Sequence, residues 1–469
     1  MKSPRLGLAL LLAGLAPPAA GHPGGCDASA VSRVVPADPT NYRSLLPGLQ
    51  PGDLLQLAGG TYTQGLPLND LHGTPGSCIV VAGPVSGPPA LFTGRDCCNT
   101  VSLRDSSYLV IRDLVLDGQG RLGDAVKAEG DAAFTHHITL EGLAISGHDG
   151  DQQIVGINTK CPSWGWVIRR NVITGAGTGI YLGNSDGEDE FSDGLIEHNL
   201  ITGTLGYNLQ IKHQNGRATG LGAPAEGVTI IRRNVFSKAT GAAGGGDARP
   251  NLLLGHRPLS GPGADDDTLV YGNFFWQNPT EALLQAEGHV ILYGNLLVND
   301  GGPAVHFQAH NDVPRRVRIF HNTVLAAGVG IQVLAGHPSF EQRVVGNAVF
   351  ASPALVGGTQ VDNTAQARGA AAAFLANPDG DVSGADRLDL YPLPGTLGGA
   401  VDTTGLSAWP EAGRDFNGRH RILSFRGAYA GEGANPGWQP ALEIIPMARA
   451  FFADGFESGD TAAWSVSIP

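Results

Sequence analysis

The stretch Trp166–Gly175, WVIRRNVITG, decides the fold. Apolar and polar residues alternate, an Asn follows, and then another apolar pair. The same phrase returns as LIEHNLITG at 195–203, TIIRRNVFSK at 229–238 and LVYGNFFWQN at 269–278. It continues as ILYGNLLVND at 291–300, RIFHNTVLAA at 318–327 and RVVGNAVFAS at 343–352. Asn171, Asn199, Asn234, Asn273, Asn295, Asn322 and Asn347 are spaced by 28, 35, 39, 22, 27 and 25 residues. Leu114 and Leu143 hold the same slot in YLVIRDLVLDG at 108–118 and ITLEGLAISG at 138–147.

Each phrase reads as two short strands with a sharp bend between them. A unit of this length cannot bury its own apolar face, but stacked copies can. Variable spacing around a constant phrase means loops of changing length leaving a constant coil. Asn at the bend can bond its own or the next coil's backbone. A leucine-rich repeat would need LxxLxLxxN with helical halves, and a β-sandwich would not hold the Asn register. The expectation is an all-β chain, a single-stranded right-handed parallel β-helix.

Its limits follow from the flanks. LQPGDLLQLAGGTY at 49–62 supplies a turn, a buried strand and a turn, so the coil begins near residue 35, with a helical cap from Asn41 to Leu46. NPT at 278–280 and the AAAFLA stretch near 370–376 read as small helical or irregular insertions. The coil frays after Val356. The division is 1–21 leader, 22–384 β-helix with its cap, 385–445 closing segment and 446–469 acidic-aromatic tail.

Composition agrees. Gly is 69 of 469 residues, about twice ordinary usage, and charged residues are only 16%. Long helices are excluded by this composition, and collagen by the lack of a strict period of three. The net charge of −13 argues against a protein that coats nucleic acid. Lys2 and Arg5 precede an apolar run from Leu6 to Leu15, and small residues follow to Gly21. This is the pattern of a secretory leader, so the protein is expected outside the cytoplasm, secreted or periplasmic. No later segment is long and apolar enough to span a membrane. Of Cys26, Cys78, Cys97, Cys98 and Cys161, four fall in the first hundred residues. Oxidation is expected there, with Cys78 bonded to Cys97 or Cys98.

A third strand lies downstream of each bend: VGINTKC at 155–161, GIYLGNS at 179–185, NLQIKHQ at 208–214 and NLLLGHR at 251–257. It continues as ALLQAEG at 282–288, AVHFQAHN at 304–311 and GIQVLAG at 330–336. With Ile157, Ile180, Leu209, Leu252, Leu283, Val305 and Ile331 inward, period two sends the alternate residues outward. Those are Asn158, Lys160, Tyr181, Gln210, Lys212, Leu253, His306 and Gln308. His213, His256, Arg257, Glu287 and His310 stand at the outer strand end. This face gathers four of the chain's 14 histidines and suits an extended polymer.

The phrase GDLLQLAGGTY at 52–62 resembles the first coil of the chondroitinase B and alginate lyase family of β-helical polysaccharide lyases. LYPLPG at 390–395, DFNGRHR at 415–421 and RGAY at 426–429 resemble the closure common in secreted parallel β-helix proteins. The tail resembles an extension on exported proteins of Gram-negative bacteria. The resemblance implies β-elimination on an acidic, uronate-containing polysaccharide by a monomer. That chemistry needs a cation for the carboxylate, a base for the C5 proton and an acid for the leaving oxygen. Lys212 is the candidate base, its pKa lowered by Arg217 or Arg257. His256 and His306 are candidates for acid or alternative base, and Arg257 for a bidentate carboxylate clamp. Tyr181, Gln210, His213, Glu287, Gln308 and His310 would line the substrate.

The lyase family places an acidic metal-binding pair just before its catalytic Lys, and YNLQIKHQNGR at 207–217 has no acid. Asp186, Glu188, Asp189 and Glu190, in the loop NSDGEDEFSD at 184–193, are the ligands open to calcium, or else a solvated acidic loop. No close Asp pair supports hydrolysis, and no G-x-S-x-G supports a serine esterase. The competing class is a non-catalytic carbohydrate-binding or surface structural protein on the same coil.

Overall fold

The computed structural model describes Cys26 and residues 31–220, 222–421 and 424–446. The leader at 1–21 lies outside the described residues, as does the tail but for its first residue. The described chain winds as a right-handed parallel β-helix with three sheets of 15, 11 and 12 strands. We call them A, C and B, because each coil runs from A through the bend to B, then to C. Sheet A begins at Arg33–Ala37 and ends at Thr359–Val361, and sheet B ends at Thr364–Gln366. The coil therefore runs about one turn beyond the expected fraying at Val356. The N-terminal cap is the helix Tyr42–Leu45 followed by the 3-10 turn Leu46–Gly48. Another 3-10 turn, Arg368–Ala373, follows the last coil.

The bend between A and B is where the repeated phrase acts. The residue before each ladder Asn adopts a left-handed conformation: Arg170, His198, Arg233, His321 and Asp362 among them, with Gly at 272, 294 and 346. Each Asn Oδ1 accepts both the backbone N–H and the Nδ2–H of the ladder Asn one coil earlier, at 2.9–3.0 Å between Asn171 and Asn363. Asn363 extends the row by one member that the sequence reading missed. The polar bend is thereby satisfied without water, which lets it be buried.

Inside, Ile157, Ile180, Leu209, Leu252, Leu284, Val305 and Ile331 stack in register, each at most 1% exposed. Burial of such a side chain contributes about 1.5–3 kcal/mol. The stack corrects one position: Leu284, not Leu283, takes the inward slot of its coil. The outward residue there is Gln285.

The closing segment does not extend the coil. After an antiparallel pair, Leu375–Asn377 with Asp389–Pro392, it returns along the outside of the solenoid. Phe416, Tyr429 and Ile445 cover the outer face of sheet B at Val235, Phe274, Trp276, Leu296 and Phe350. Val401, Leu406 and Ala412 cover the outer face of sheet A around the stacked rings of Tyr271, Tyr293 and Phe320. Glu411 pairs with Arg232 at 2.9 Å and Arg233 at 3.1 Å, and Ile445 O accepts a bond from His198 Nδ1 at 2.8 Å. Among the described residues the closing segment leaves the outer face of sheet C uncovered.

Two disulfides are present, Cys26–Cys78 and Cys97–Cys98, and Cys161 is a buried free thiol. This corrects the expected pairing of Cys78. Cys26 packs beside Cys78 with Val80, Ala82 and Val110, and the two neighbouring cysteines bond each other on an exposed turn. Among the described residues no helix is long and apolar enough to cross a membrane.

Candidate functional site

Sheet C presents two outward columns. The first runs Lys127, Asn158, Tyr181, Gln210, Leu253, Gln285, His306 and Gln332. The second, two residues on, runs Lys160, Gly183, Lys212, Gly255, Glu287 and Gln308, and the backbone ladder extends this far. A shallow depression opens over Gln210, Lys212, His213, Leu253, Gly255, Gln285, Glu287, Gln308 and His310.

Lys212 is half-buried and flanked in register by glycine on both sides. A side chain at Gly255 would collide with the backbone of His213 at 2.2 Å, and one at Gly183 would crowd Lys212 Cβ at 3.3 Å. Glycine here lets the coils close up and leaves a notch on either side of the amine. Among the described residues Lys212 makes no ion pair. Burial lowers its pKa below the ordinary lysine value, and the charge of Glu287 opposes that shift.

His213 follows on the same coil, its ring 5.4 Å from that of His256. Burial lowers its pKa, and Lys212 and His256 add to the effect. His256 is only 4% exposed and bonds Arg257 O through Nδ1 at 2.8 Å. It lies at the edge of the groove rather than over it. His306 is three coils from Gln210, about 14 Å along the axis. The two expected partners of Lys212 are thus not brought together at one point. Burial lowers the pKa of His306.

The two arginines are corrected. Arg257 turns into the loop layer, donating to Phe191 O at 2.9 Å and Thr268 Oγ1 at 2.8 Å. The Arg217 side chain is 1% exposed and locked in an ion pair with Asp266. Neither reaches the groove, so neither can clamp a carboxylate there, and burial rather than a neighbouring arginine shifts Lys212. Both belong to the long connections between sheets C and A, where side-chain direction has no period to read.

Glu287 is also structural. Its Oε2 accepts N–H bonds from His310, Asn311 and Asp312 at 2.7–3.0 Å, and Oε1 accepts from His256 at 3.3 Å. It ties the loop carrying the exposed His310 to the groove wall. Gln308 and Gln210 line the floor. The Tyr181 ring is covered by Lys160 Nζ, 3.9 Å from its centre.

The acidic loop divides its carboxylates. Asp186 accepts from Glu188 N at 3.1 Å, Glu188 from Asn215 Nδ2 at 3.0 Å, and Asp189 from Asn184 Nδ2 at 3.0 Å. Glu190, 1% exposed, accepts from Ala218 N at 2.9 Å. Among the described residues no three His, Cys, Asp or Glu side chains group to hold a metal ion. Asp186 and Asp189 bond within the 184–189 turn, Glu188 and Glu190 fasten it to the 215–218 loop, and the set does not fit calcium.

Two features of this outer face escaped the sequence reading of the site. Gln285 was hidden by the one-residue slip at Leu283, and Lys160 was visible as an outward residue but without its setting on Tyr181.

No protein-family model and no curated protein matches the chain. Among solved structures it is similar to an alginate lyase from Paenibacillus sp. str. FPU-7, with 17% identity and a TM-score of 0.48 over 70% of this chain and 99% of that one. It is similar to the GH136 lacto-N-biosidase from Eubacterium ramulus, with 11% identity and a TM-score of 0.47 over 70% and 67%. The A-module of the Azotobacter vinelandii mannuronan C-5 epimerase AlgE4 matches with 16% identity and a TM-score of 0.35 over 66% and 86%.

Proposed function

We propose that the protein processes an acidic polysaccharide outside the cytoplasm, as a lyase acting on uronate units along the outer face of sheet C. One observation carries the reading: the half-buried amine of Lys212, free of any ion pair among the described residues, stands in a groove between two glycine notches. A lysine with a lowered pKa beside an extended, rigid face is suited to take a proton from a polymer laid along it.

In this reading neutral Lys212 Nζ removes the C5 proton of a uronate. The C–H electron pair forms the C4–C5 double bond, the C4–O bond breaks, and the leaving oxygen takes a proton. If base and leaving oxygen lie on the same side of the ring, the new Lys212 ammonium returns that proton. His213 is the neighbouring alternative. With Arg217 and Arg257 withdrawn, the exposed His310 is the groove residue left to hold the carboxylate of the reacting sugar.

The test is a panel of purified polyuronates incubated with the full chain and followed in the ultraviolet for unsaturated ends. Absorbance that grows with wild type and not with Lys212→Ala supports elimination. Tight binding with no absorbance change on any uronate polymer would leave the non-catalytic carbohydrate-binding protein as the better reading.

A further inference from the structure

The outer face of sheet A carries a histidine pair that chemistry on sheet C leaves without a task. His136 and His137 are neighbours in the strand Thr135–Glu141. Period two would send one of them inward. Instead His137 is left-handed at φ 53°, and Tyr108, beside it in the previous coil, is left-handed at 55°. The register pairs Ser107 with His136 and Leu109 with Ile138, and passes over the two left-handed residues. Each strand swells there by one residue. Thr135 and Ile138 are fully buried, while His136 and His137 are both half-buried on one side. Bulky residues avoid this conformation, and it persists where the surroundings hold it.

The two rings are held by their neighbours. His136 lies flat on Trp164, with centres 4.6 Å apart and planes at 7°. His137 lies flat on Tyr108 at 4.5 Å and 13°. The next coil offers it Gly165, where a side chain would meet the His137 ring at 3.0 Å. The two imidazole planes stand at 84° to each other, and their Nδ1 atoms are 2.8 Å apart.

In that contact one Nδ1 donates and the other accepts. Moving the donated hydrogen to the other nitrogen of its ring leaves two lone pairs aimed at one point. Two nitrogens about 2.0–2.1 Å from one ion lie about 2.8–3.0 Å apart at a right angle, and about 3.3–3.4 Å apart at a tetrahedral angle. The separation of 2.8 Å fits the right angle, which is the cis arrangement of tetragonal copper(II). Copper(II) also heads the affinity order of divalent first-row ions. His72 lies two coils earlier in the row His72, Ser107, His136, Trp164, and its Nδ1 meets Ser107 Oγ at 3.1 Å. The protein's share is therefore two imidazoles, and no group of three ligands exists among the described residues.

We propose that His136 and His137 form a copper(II) site on the outer face of sheet A, binding the ion cis through both Nδ1 atoms with water in the remaining positions. Trp164, Tyr108 and Gly165 act as positioning residues that hold the two rings at the required angle.

The experiment is calorimetry and electron paramagnetic resonance on the full chain with copper(II) chloride. Wild type should show a tetragonal ion coupled to two nitrogens. His136→Phe keeps a flat ring on Trp164, and His137→Asn keeps a residue that tolerates the left-handed backbone. Both should melt like wild type without metal, and each should weaken copper binding by more than about 100-fold, beyond the effect of a lost outer-shell partner. His72→Ala should leave the affinity unchanged. Copper should raise the melting temperature of wild type and of His72→Ala, and not that of the two pair variants. On wild type, one equivalent of copper should shield the peptide carrying His136 and His137 from diethyl pyrocarbonate, a readout that needs no folded variant. Shielding of another histidine in its place, equal affinity in wild type and both pair variants, or a spectrum without nitrogen coupling overturns the site. A loss in His72→Ala equal to theirs overturns the set of two imidazoles.

Discussion

Glu287 lies two coils from Lys212 across Gly255, and its carboxylate is held by the backbone N–H groups of His256, His310, Asn311 and Asp312. The acid beside the candidate base is thus a fixed negative charge and a loop anchor, and its lone pairs are already occupied.

Lys212→Ala should reduce turnover of a uronate polymer by about 100-fold or more, the scale of a lost general base. Its melting temperature should stay near that of wild type, because a half-exposed lysine adds little to the core. The reactive form is the free amine, so kcat/KM should rise with pH. Burial places that rise below the ordinary lysine value of 10.5. A profile flat across that range would count against Lys212.

Replacing Glu287 with Gln separates its two roles. The neutral side chain removes the charge that raises the Lys212 pKa, so the rise in kcat/KM should move to lower pH. It also weakens the hold on three consecutive N–H groups of the 310–312 loop. Stability should fall by about 1–3 kcal/mol. Thermal melting and a pH profile on the one variant read both.

Asn234→Ala interrupts the buried ladder and leaves the backbone N–H and Nδ2 of Asn199 without their acceptor. The expected loss is about 1–3 kcal/mol, measured by denaturant titration. Asn363→Ala, at the half-buried end of the row, should cost less, because water can replace the missing amide. Equal losses at the two positions would argue that the ladder does not act through burial.

Asp193 offers a pH test. Burial, with the charge of Asp266 adding to it, raises its pKa from 3.8 to about 6. Between those values the unfolded chain releases a proton that the folded chain keeps, so stability falls as pH rises through the window and stays lowered above it. Asp193→Asn carries no charge, and Asn tolerates the left-handed backbone at φ 50°. The variant should gain about 1–3 kcal/mol over wild type at about pH 8, with a smaller gap at about pH 5. Melting curves at the two pH values decide it.

The solenoid was legible because Asn171 and its counterparts mark one geometrical event per coil. Stacking also forces inward residues such as Ile180 and Leu209 into a period of two. The same logic placed Lys212, Gln210 and Tyr181 on the outer face. It failed by one residue in ALLQAEG, where Leu283 and Leu284 are both fully buried and only the register of neighbouring coils distinguishes them. It failed for Arg217 and Arg257 because their positions belong to loops, where an arginine follows its acceptor rather than a pleat. The disulfides were misread because sequence shows spacing but not that Cys26 packs against Cys78, Val80 and Val110.

The return of the closing segment along the outside sets an order of events for a chain made from its N-terminus. Coils can stack as soon as they emerge, each on the one before. Yet Val235, Phe274 and Tyr271 lie on outer faces that are covered by residues after 370, and His198 waits for Ile445. A nascent chain halted between the last coil and that segment is already wound but still wears two greasy flanks. The segment after the last coil therefore acts as the wrapper of a rod that is already wound.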